Sequence, residues 1–173
     1  VDRTTGRVVS TNGKFDDATG IDLPAWCQTE FGIPFAVEND ARMALLGEWY
    51  AGAARGVDDV VMITLGTGIG GAAMAGGKLY RTKQVQGGTV GGHIPVLFTG
   101  RKCTCGAFGC METEAAGWSL PLVAAEWPGI ESSRLATVER VDFRSVFEFA
   151  RDGDAIATAI RDHCLHVWAV GIV

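Results

Sequence analysis

The 173 residues, 47% of them hydrophobic and 20% charged, suit a soluble globular protein of one or two domains. No apolar run approaches the roughly 20 residues that span a bilayer. The net charge is -5, yet the stretch from Val60 to Met111 holds five cations (Lys78, Arg81, Lys83, Arg101, Lys102) and no acid, so the other residues carry -10 between them. A cationic, glycine-rich segment inside an acidic chain favours a small anionic ligand over long nucleic acid; solvated surface charge is the plainer reading.

In chain order, Arg7 to Ser10 reads as a short strand, and Thr11 to Gly20 as a turn-rich loop. A helix is predicted from Leu23 to Phe31, with Pro24 suited to its first turn. Phe35-Ala36-Val37 reads as a buried strand entering Glu38-Asn39-Asp40, and Ala41 to Ala54 as a helix with Met43, Leu46, Trp49, Tyr50 and Ala53 at helical spacing. Strands follow at Val60 to Leu65 and Ile69 to Ala75, with Gly66-Thr67-Gly68 between them, and Gly76-Gly77 turns into Lys78-Leu79-Tyr80. Helices are expected from about Glu114 to Trp127, from Phe143 to Ala150, and from Ala155 onwards. There is no internal repeat, and the class is mixed α/β.

The most specific motif is Cys103-Thr104-Cys105-Gly106-Ala107-Phe108-Gly109-Cys110-Met111-Glu112, with His93 upstream. Three thiols at C-x-C-x4-C spacing, bent by Gly106 and Gly109, need one imidazole to close a tetrahedral zinc site. A disulfide pair with a spare thiol is the alternative, set behind zinc because no secretory signal is read in the chain and cytosolic thiols stay reduced. Glu112, two residues past the last ligand, would be fixed in place by the metal. Cys27 and Cys164 sit in apolar helical contexts and read as small core residues. His163 and His166, spaced i, i+3 on a helix, read as surface or core residues without function.

Gly66-Thr67-Gly68-Ile69-Gly70-Gly71 fits G-x-G-x-x-G, but a strand follows it and no acid occurs before Glu112, so it is not a dinucleotide fingerprint. A glycine hairpin can still hold phosphate oxygens through backbone N–H groups, with the Thr67 hydroxyl adding a donor; an ordinary turn is the bland reading. Asp40, ahead of an apolar helix, would ordinarily be an N-cap. The helix dipole there favours its ionised form, which suits a base in phosphoryl transfer.

Taken together, Glu38-Asn39-Asp40-Ala41-Arg42, Leu65 to Gly71, Gly92-His93 and the Cys103–Glu112 packet resemble the ROK family of sugar kinases and related repressors. The resemblance implies an actin-like ATPase (ribonuclease H-like) fold of two α/β lobes with a structural zinc loop. Residues 1–57 would end the N-terminal lobe, and residues 58–173 would form part of the C-terminal lobe. Asp40 would be the general base taking a sugar hydroxyl proton. Asn39, Asp40, His93 and Glu112 would hold the sugar; Gly66, Thr67 and Gly68 would contact the ATP phosphates. His93, Cys103, Cys105 and Cys110 would bind structural zinc, and Mg2+ would accompany ATP.

The implied protein is a cytoplasmic, glucokinase-like hexose kinase acting on the 6-hydroxyl of glucose, and a homodimer, with no membrane partner. A sugar-sensing repressor of the same family is the alternative, and it alone would bring a nucleic-acid partner. A zinc-stabilised carbohydrate-binding module is the third reading, disfavoured because a pure binder needs no phosphate loop. Val1 is not Met, and the apolar run Cys164 to Val173 has no cap, so the chain is expected to be a fragment, inactive alone. A first phosphate loop of the Asp-x-Gly-Gly-Thr type, or a helix-turn-helix in a repressor, would precede Val1; a closing helix and another glycine motif would follow Val173. One position departs from the family: its Glu-x-Gly-His is here Val90-Gly91-Gly92-His93, which removes a carboxylate contact and leaves the identity of the sugar open.

Overall fold

The computed structural model describes residues 1–11, 15–83 and 91–172. Near the start, Asp2 and Arg7 form one isolated antiparallel bridge, and the strand expected from Arg7 to Ser10 does not extend beyond it. Helix α1 (Leu23–Phe31) begins where the Asp22 carboxylate accepts the Ala25 N–H at 3.1 Å and stops at Gly32, which takes a left-handed conformation. Phe35, Ala36 and Val37, expected as a buried strand, are not in a strand, and Ala36 is exposed. A strand exists only through a ladder partner, and none among the described residues pairs with this segment.

Helix α2 (Asp40–Ala51) closes one turn earlier than its apolar pattern suggested, at Gly52, whose N–H bonds the Glu48 carbonyl. Strands β1 (Val60–Leu65), β2 (Ile69–Ala75) and β3 (Lys78–Leu79) make a three-stranded sheet in that order. β3 runs antiparallel to β2, with Met74 opposite Leu79 and Ala75 opposite Lys78. The predicted strands and turn are all present, although Tyr80 lies outside β3.

Instead of one helix from Glu114 to Trp127 there are two short ones, α3 (Met111–Ala115) and α4 (Leu120–Ala125). The break has a specific cause. The Gly117 and Trp118 N–H groups, which a continuous helix would use internally, donate instead to the Gly66 and Thr67 carbonyls, each at 2.9 Å. Helix α5 (Phe143–Arg151) starts with a reciprocal capping box between Asp142 and Ser145. Helix α6 (Ala155–Ile172) follows, its first turn anchored by the Asp154 carboxylate accepting the Ala157 N–H at 3.0 Å. No described helix is long and apolar enough to cross a membrane.

Two compact units result: Val1–Met62 with Ala72–Thr89, and Ile63–Gly71 with Val90–Val173. The first packs Ala41 and Leu45 of α2 against Ala72, Met74 and Leu79 of the sheet. The second gathers Ile69, Met111, Ala115, Leu120, Val146, Ile160 and Cys164 into one core, so α3, α4, α5 and α6 share a buried interior. Cys27 and Cys164 are both buried, as their apolar contexts predicted, and burial pushes the Cys164 thiol up to about 12, which leaves it chemically quiet.

Candidate functional site

In the first unit, the residues singled out by sequence meet at the start of α2. Asn39, not Asp40, is the N-cap: its side-chain oxygen accepts the Arg42 N–H at 3.2 Å. This corrects the sequence reading of Asp40 as a cap. Asp40 occupies the first helical position, exposed, with its Oδ1 accepting from the Asn39 amide and from the Ala41 N–H, both at 2.9 Å. The helix therefore begins on one polar residue and presents the next to solvent.

Glu38 anchors this corner from behind. Its carboxylate is largely buried and receives Arg81 at 2.8 Å, Arg42 at 3.4 Å and the Asn39 N–H at 3.1 Å. Burial alone would raise its pKa, but the Asn39 N–H and the Arg81 and Arg42 guanidiniums outweigh it and hold the carboxyl below its usual value. Arg81, one of the five cations of the glycine-rich stretch, is thus already paired, and so is Arg101 in the second unit. The local positive charge available to a ligand is smaller than the sequence suggested.

In the second unit, the cysteine packet folds as a compact loop. Bridges pair Pro95 with Cys110 and Lys102 with Phe108, and the Cys103 N–H bonds the Ala107 carbonyl at 2.8 Å. Gly106 and Gly109 both take positive φ, at the bends assigned to them. The loop brings the ligand atoms of His93, Cys103, Cys105 and Cys110 within 4.8 Å of one another. Cys103 Sγ lies 3.4 Å from His93 Nδ1, and Cys105 Sγ lies 3.6 Å from Cys110 Sγ.

Those separations fit one of the two readings of the thiols better than the other. A disulfide requires sulfurs about 2.05 Å apart, and all five cysteines are free. A tetrahedral zinc with bonds of about 2.0–2.3 Å puts its ligand atoms some 3.4–3.8 Å apart, which the 3.4 and 3.6 Å pairs match within a cluster spread over 4.8 Å. Burial, then the neighbouring Cys105 and Cys103 thiols, push the Cys110 thiol up to about 12, whereas the Ala107 N–H and the Cys103 thiol lower Cys105. A cation at the centre reverses the cost of ionising Cys110, since a coordinated thiol gives up its proton. The four residues fit a metal.

Directly after the last thiol, Glu112 is set between two glycine segments. Its N–H bonds the Gly92 carbonyl at 2.8 Å, and the Gly92 N–H bonds the Ile69 carbonyl at 3.2 Å. Gly92 has to be glycine: a Cβ there would strike the Ile69 carbonyl oxygen and come within 2.7 Å of Glu112 Oε2. On the other side, a Cβ at Gly68 would only reach ordinary contact, 3.6 Å, with Glu112 Oε1. The Gly66–Gly68 turn, the Gly92-His93 segment and Glu112 are therefore neighbours in one unit, which their spacing in sequence does not reveal. Val90, the departure from the family pattern, lies outside the described residues.

Two participants escaped the sequence reading. Trp118 donates its indole N–H to Glu112 Oε1 at 3.1 Å, and Glu114, almost wholly buried, receives Arg101. Neither belongs to a recognisable motif; the only available signal was a carboxylate falling on the buried side of an otherwise apolar segment.

A family model described as "ROK family" matches residues 1–173. The chain is 34% identical over 174 residues to a glucokinase of Thermotoga maritima, covering 98% of this chain and 54% of that protein. It is 33% identical over 116 residues to the xylose repressor of Bacillus subtilis, covering 67% and 29%. A crystal structure of a ROK family glucokinase from Streptomyces griseus, in complex with glucose and AMPPNP, superposes with a TM-score of 0.68 at 34% identity, covering 90% of this chain and 52% of that one. The chain thus spans about half the length of the glucokinase it matches over nearly its whole extent. The cysteine loop with its trailing glutamate, the glycine turn beside it and the match along the full sequence have one explanation: the chain belongs to the ROK family.

Proposed function

We propose that this chain is part of an ATP-dependent hexose kinase of glucokinase type, acting on the 6-hydroxyl of glucose. What supports the reading most is the placing of Glu112, a half-buried carboxylate held between the Gly68 turn and the Gly92 segment, immediately after a loop able to hold a metal. A carboxylate in that setting accepts hydrogen bonds from sugar hydroxyls, and a glycine turn beside it suits phosphate oxygens. The solved glucokinase to which the chain is similar was crystallised with glucose and AMPPNP.

In this proposal Asp40 accepts the proton of the sugar hydroxyl as its oxygen bonds to the γ-phosphorus of ATP and the bond to the β-γ bridging oxygen breaks, releasing ADP. Its exposed place in the first turn of α2, steadied by the Asn39 amide, leaves one carboxylate oxygen for that proton. Asn39, His93 and Glu112 bind hydroxyls, and Gly66, Thr67 and Gly68 meet the phosphates of ATP, which arrives with Mg2+. His93, Cys103, Cys105 and Cys110 would hold zinc, which supplies folding free energy and no chemistry. Residues 1–57 belong on this reading to the N-terminal lobe and 58–173 to the C-terminal lobe.

A second reading is carried by the similarity to the xylose repressor: a sugar-sensing regulator would keep the same sugar residues. A coupled assay of ADP release by the full-length protein, with glucose, mannose, fructose and N-acetylated hexosamines, separates the two. ADP release that depends on one hexose is the expected result. Sugar binding without turnover, together with sugar-dependent binding to DNA, favours the repressor.

A further inference from the structure

Trp118 occupies the break between α3 and α4, where the chain leaves helical geometry to reach the glycine turn. Its main-chain N–H donates to the Thr67 carbonyl at 2.9 Å, and the preceding Gly117 N–H donates to the Gly66 carbonyl at 2.9 Å. A Cβ on Gly117 would lie 2.8 Å from the Gly66 oxygen, so the approach depends on a bare backbone there. The Trp118 side chain then folds back along α3, and its Nε1–H donates to Glu112 Oε1 at 3.1 Å. About a third of the residue remains exposed, with its indole N–H committed to the carboxylate.

Resting on the sugar-kinase reading above, we propose that Trp118 is a positioning residue that orients Glu112 for a sugar hydroxyl and ties that orientation to the Thr67 turn. The indole is a donor only, so it cannot swing round and compete as an acceptor for the sugar. By engaging Oε1 it selects one rotamer of Glu112 and leaves Oε2, on the Gly92 side, to accept from the ligand. Because its own main chain is bonded to the turn, a shift of Glu112 on sugar binding is passed to the segment that would meet phosphate, with no second side chain in between. Preorganisation of this kind lowers the cost of binding without adding any contact to the ligand.

The test uses Trp118→Phe in the full-length protein, which keeps the ring and both main-chain bonds and removes only the N–H. The Trp118 indole proton resonance is expected to differ between the wild type and Glu112→Gln. Calorimetry is expected to show hexose affinity falling about 5- to 10-fold in Trp118→Phe, consistent with losing one hydrogen bond to a charged group in a partly wet site. The affinity for AMPPNP measured without sugar and the melting temperature stay unchanged, which a merely structural role would not produce. An indole resonance indifferent to Glu112→Gln overturns the proposal, and so does unaltered hexose affinity in Trp118→Phe when wild type binds. A wild-type protein that binds none of the hexoses overturns the sugar reading and this role with it, a result distinct from a failure of Trp118 alone.

Discussion

Arg101 and Glu114 are joined twice: the Arg101 main-chain N–H reaches Glu114 Oε1 at 2.6 Å, and its guanidinium reaches Oε2 at 3.1 Å. Glu114 is almost wholly buried in α3, so this pair of hydrogen bonds fastens the cysteine loop to the core independently of any metal. The same guanidinium also reaches Glu126 at 2.6 Å, but that carboxylate is two-thirds exposed. Breaking a buried pair leaves an uncompensated charge, whereas an exposed pair contributes little. Glu114→Ala is therefore expected to cost about 3 kcal/mol in chemical denaturation, and Glu126→Ala less than about 1 kcal/mol. Equal effects would show that Glu114 is not the fastening point.

Metal content offers a second check. The purified protein is expected to carry about one equivalent of zinc, held by His93, Cys103, Cys105 and Cys110. A strong chelator, or Cys110→Ser, should lower the melting temperature by well over the few degrees that typify a surface change, because binding free energy here is folding free energy. Cys27→Ser, which lies outside the cluster, should leave the zinc content unchanged. Elemental analysis that finds no zinc removes the assignment.

At α2 the two adjacent polar residues should separate by function. Asn39→Ala removes the cap and is expected to cost about 1 kcal/mol. Asp40→Asn spares the cap, since Asn39 provides it, and should keep the fold and sugar affinity while turnover of the full-length protein falls by roughly 10²–10⁴-fold, the usual scale for a lost general base. Glu112→Gln should instead raise the sugar KM more than it lowers kcat, because its contact exists before the transition state. Near-normal kcat in Asp40→Asn would remove the base from the proposed mechanism.

Stability should also carry an acid limb at α5. The Ser145 N–H and hydroxyl hold the Asp142 carboxyl below its usual value. A carboxyl with a depressed folded pKa contributes stability above its unfolded pKa and loses it as pH falls through the folded value. Asp142→Ala is expected to cost about 1 kcal/mol at neutral pH, with the difference from wild type shrinking below about pH 4. A difference that is constant from pH 7 to pH 3 would mean that the ionised cap contributes nothing.

Much of this organisation was written locally in the chain. The β1 and β2 runs, the Gly76-Gly77 turn, α1 with its Pro24 start, α5 and α6 all follow from periodicity and turn chemistry, which act over a few residues. The cysteine loop was legible for the same reason: Cys103, Cys105 and Cys110 lie so close in sequence that their bends alone bring the thiols together, and a short segment adds His93. Other features depended on partners far along the chain. Phe35 to Val37 has the composition of a strand but gains no ladder partner among the described residues. The helix expected from Glu114 to Trp127 breaks because Gly117 and Trp118 find better acceptors in the Gly66 and Thr67 carbonyls, about fifty residues earlier. Whether Asn39 or Asp40 caps α2 was decided by which backbone turned first into the helix, a difference of one residue that composition cannot resolve. The contact of Trp118 with Glu112 exists only once the helix has broken at the glycine turn, and the burial of Glu114 against Arg101 only once the loop has docked on the core. Sequence determines what a residue can donate or accept; only the folded chain decides which distant group is within 3 Å to receive it.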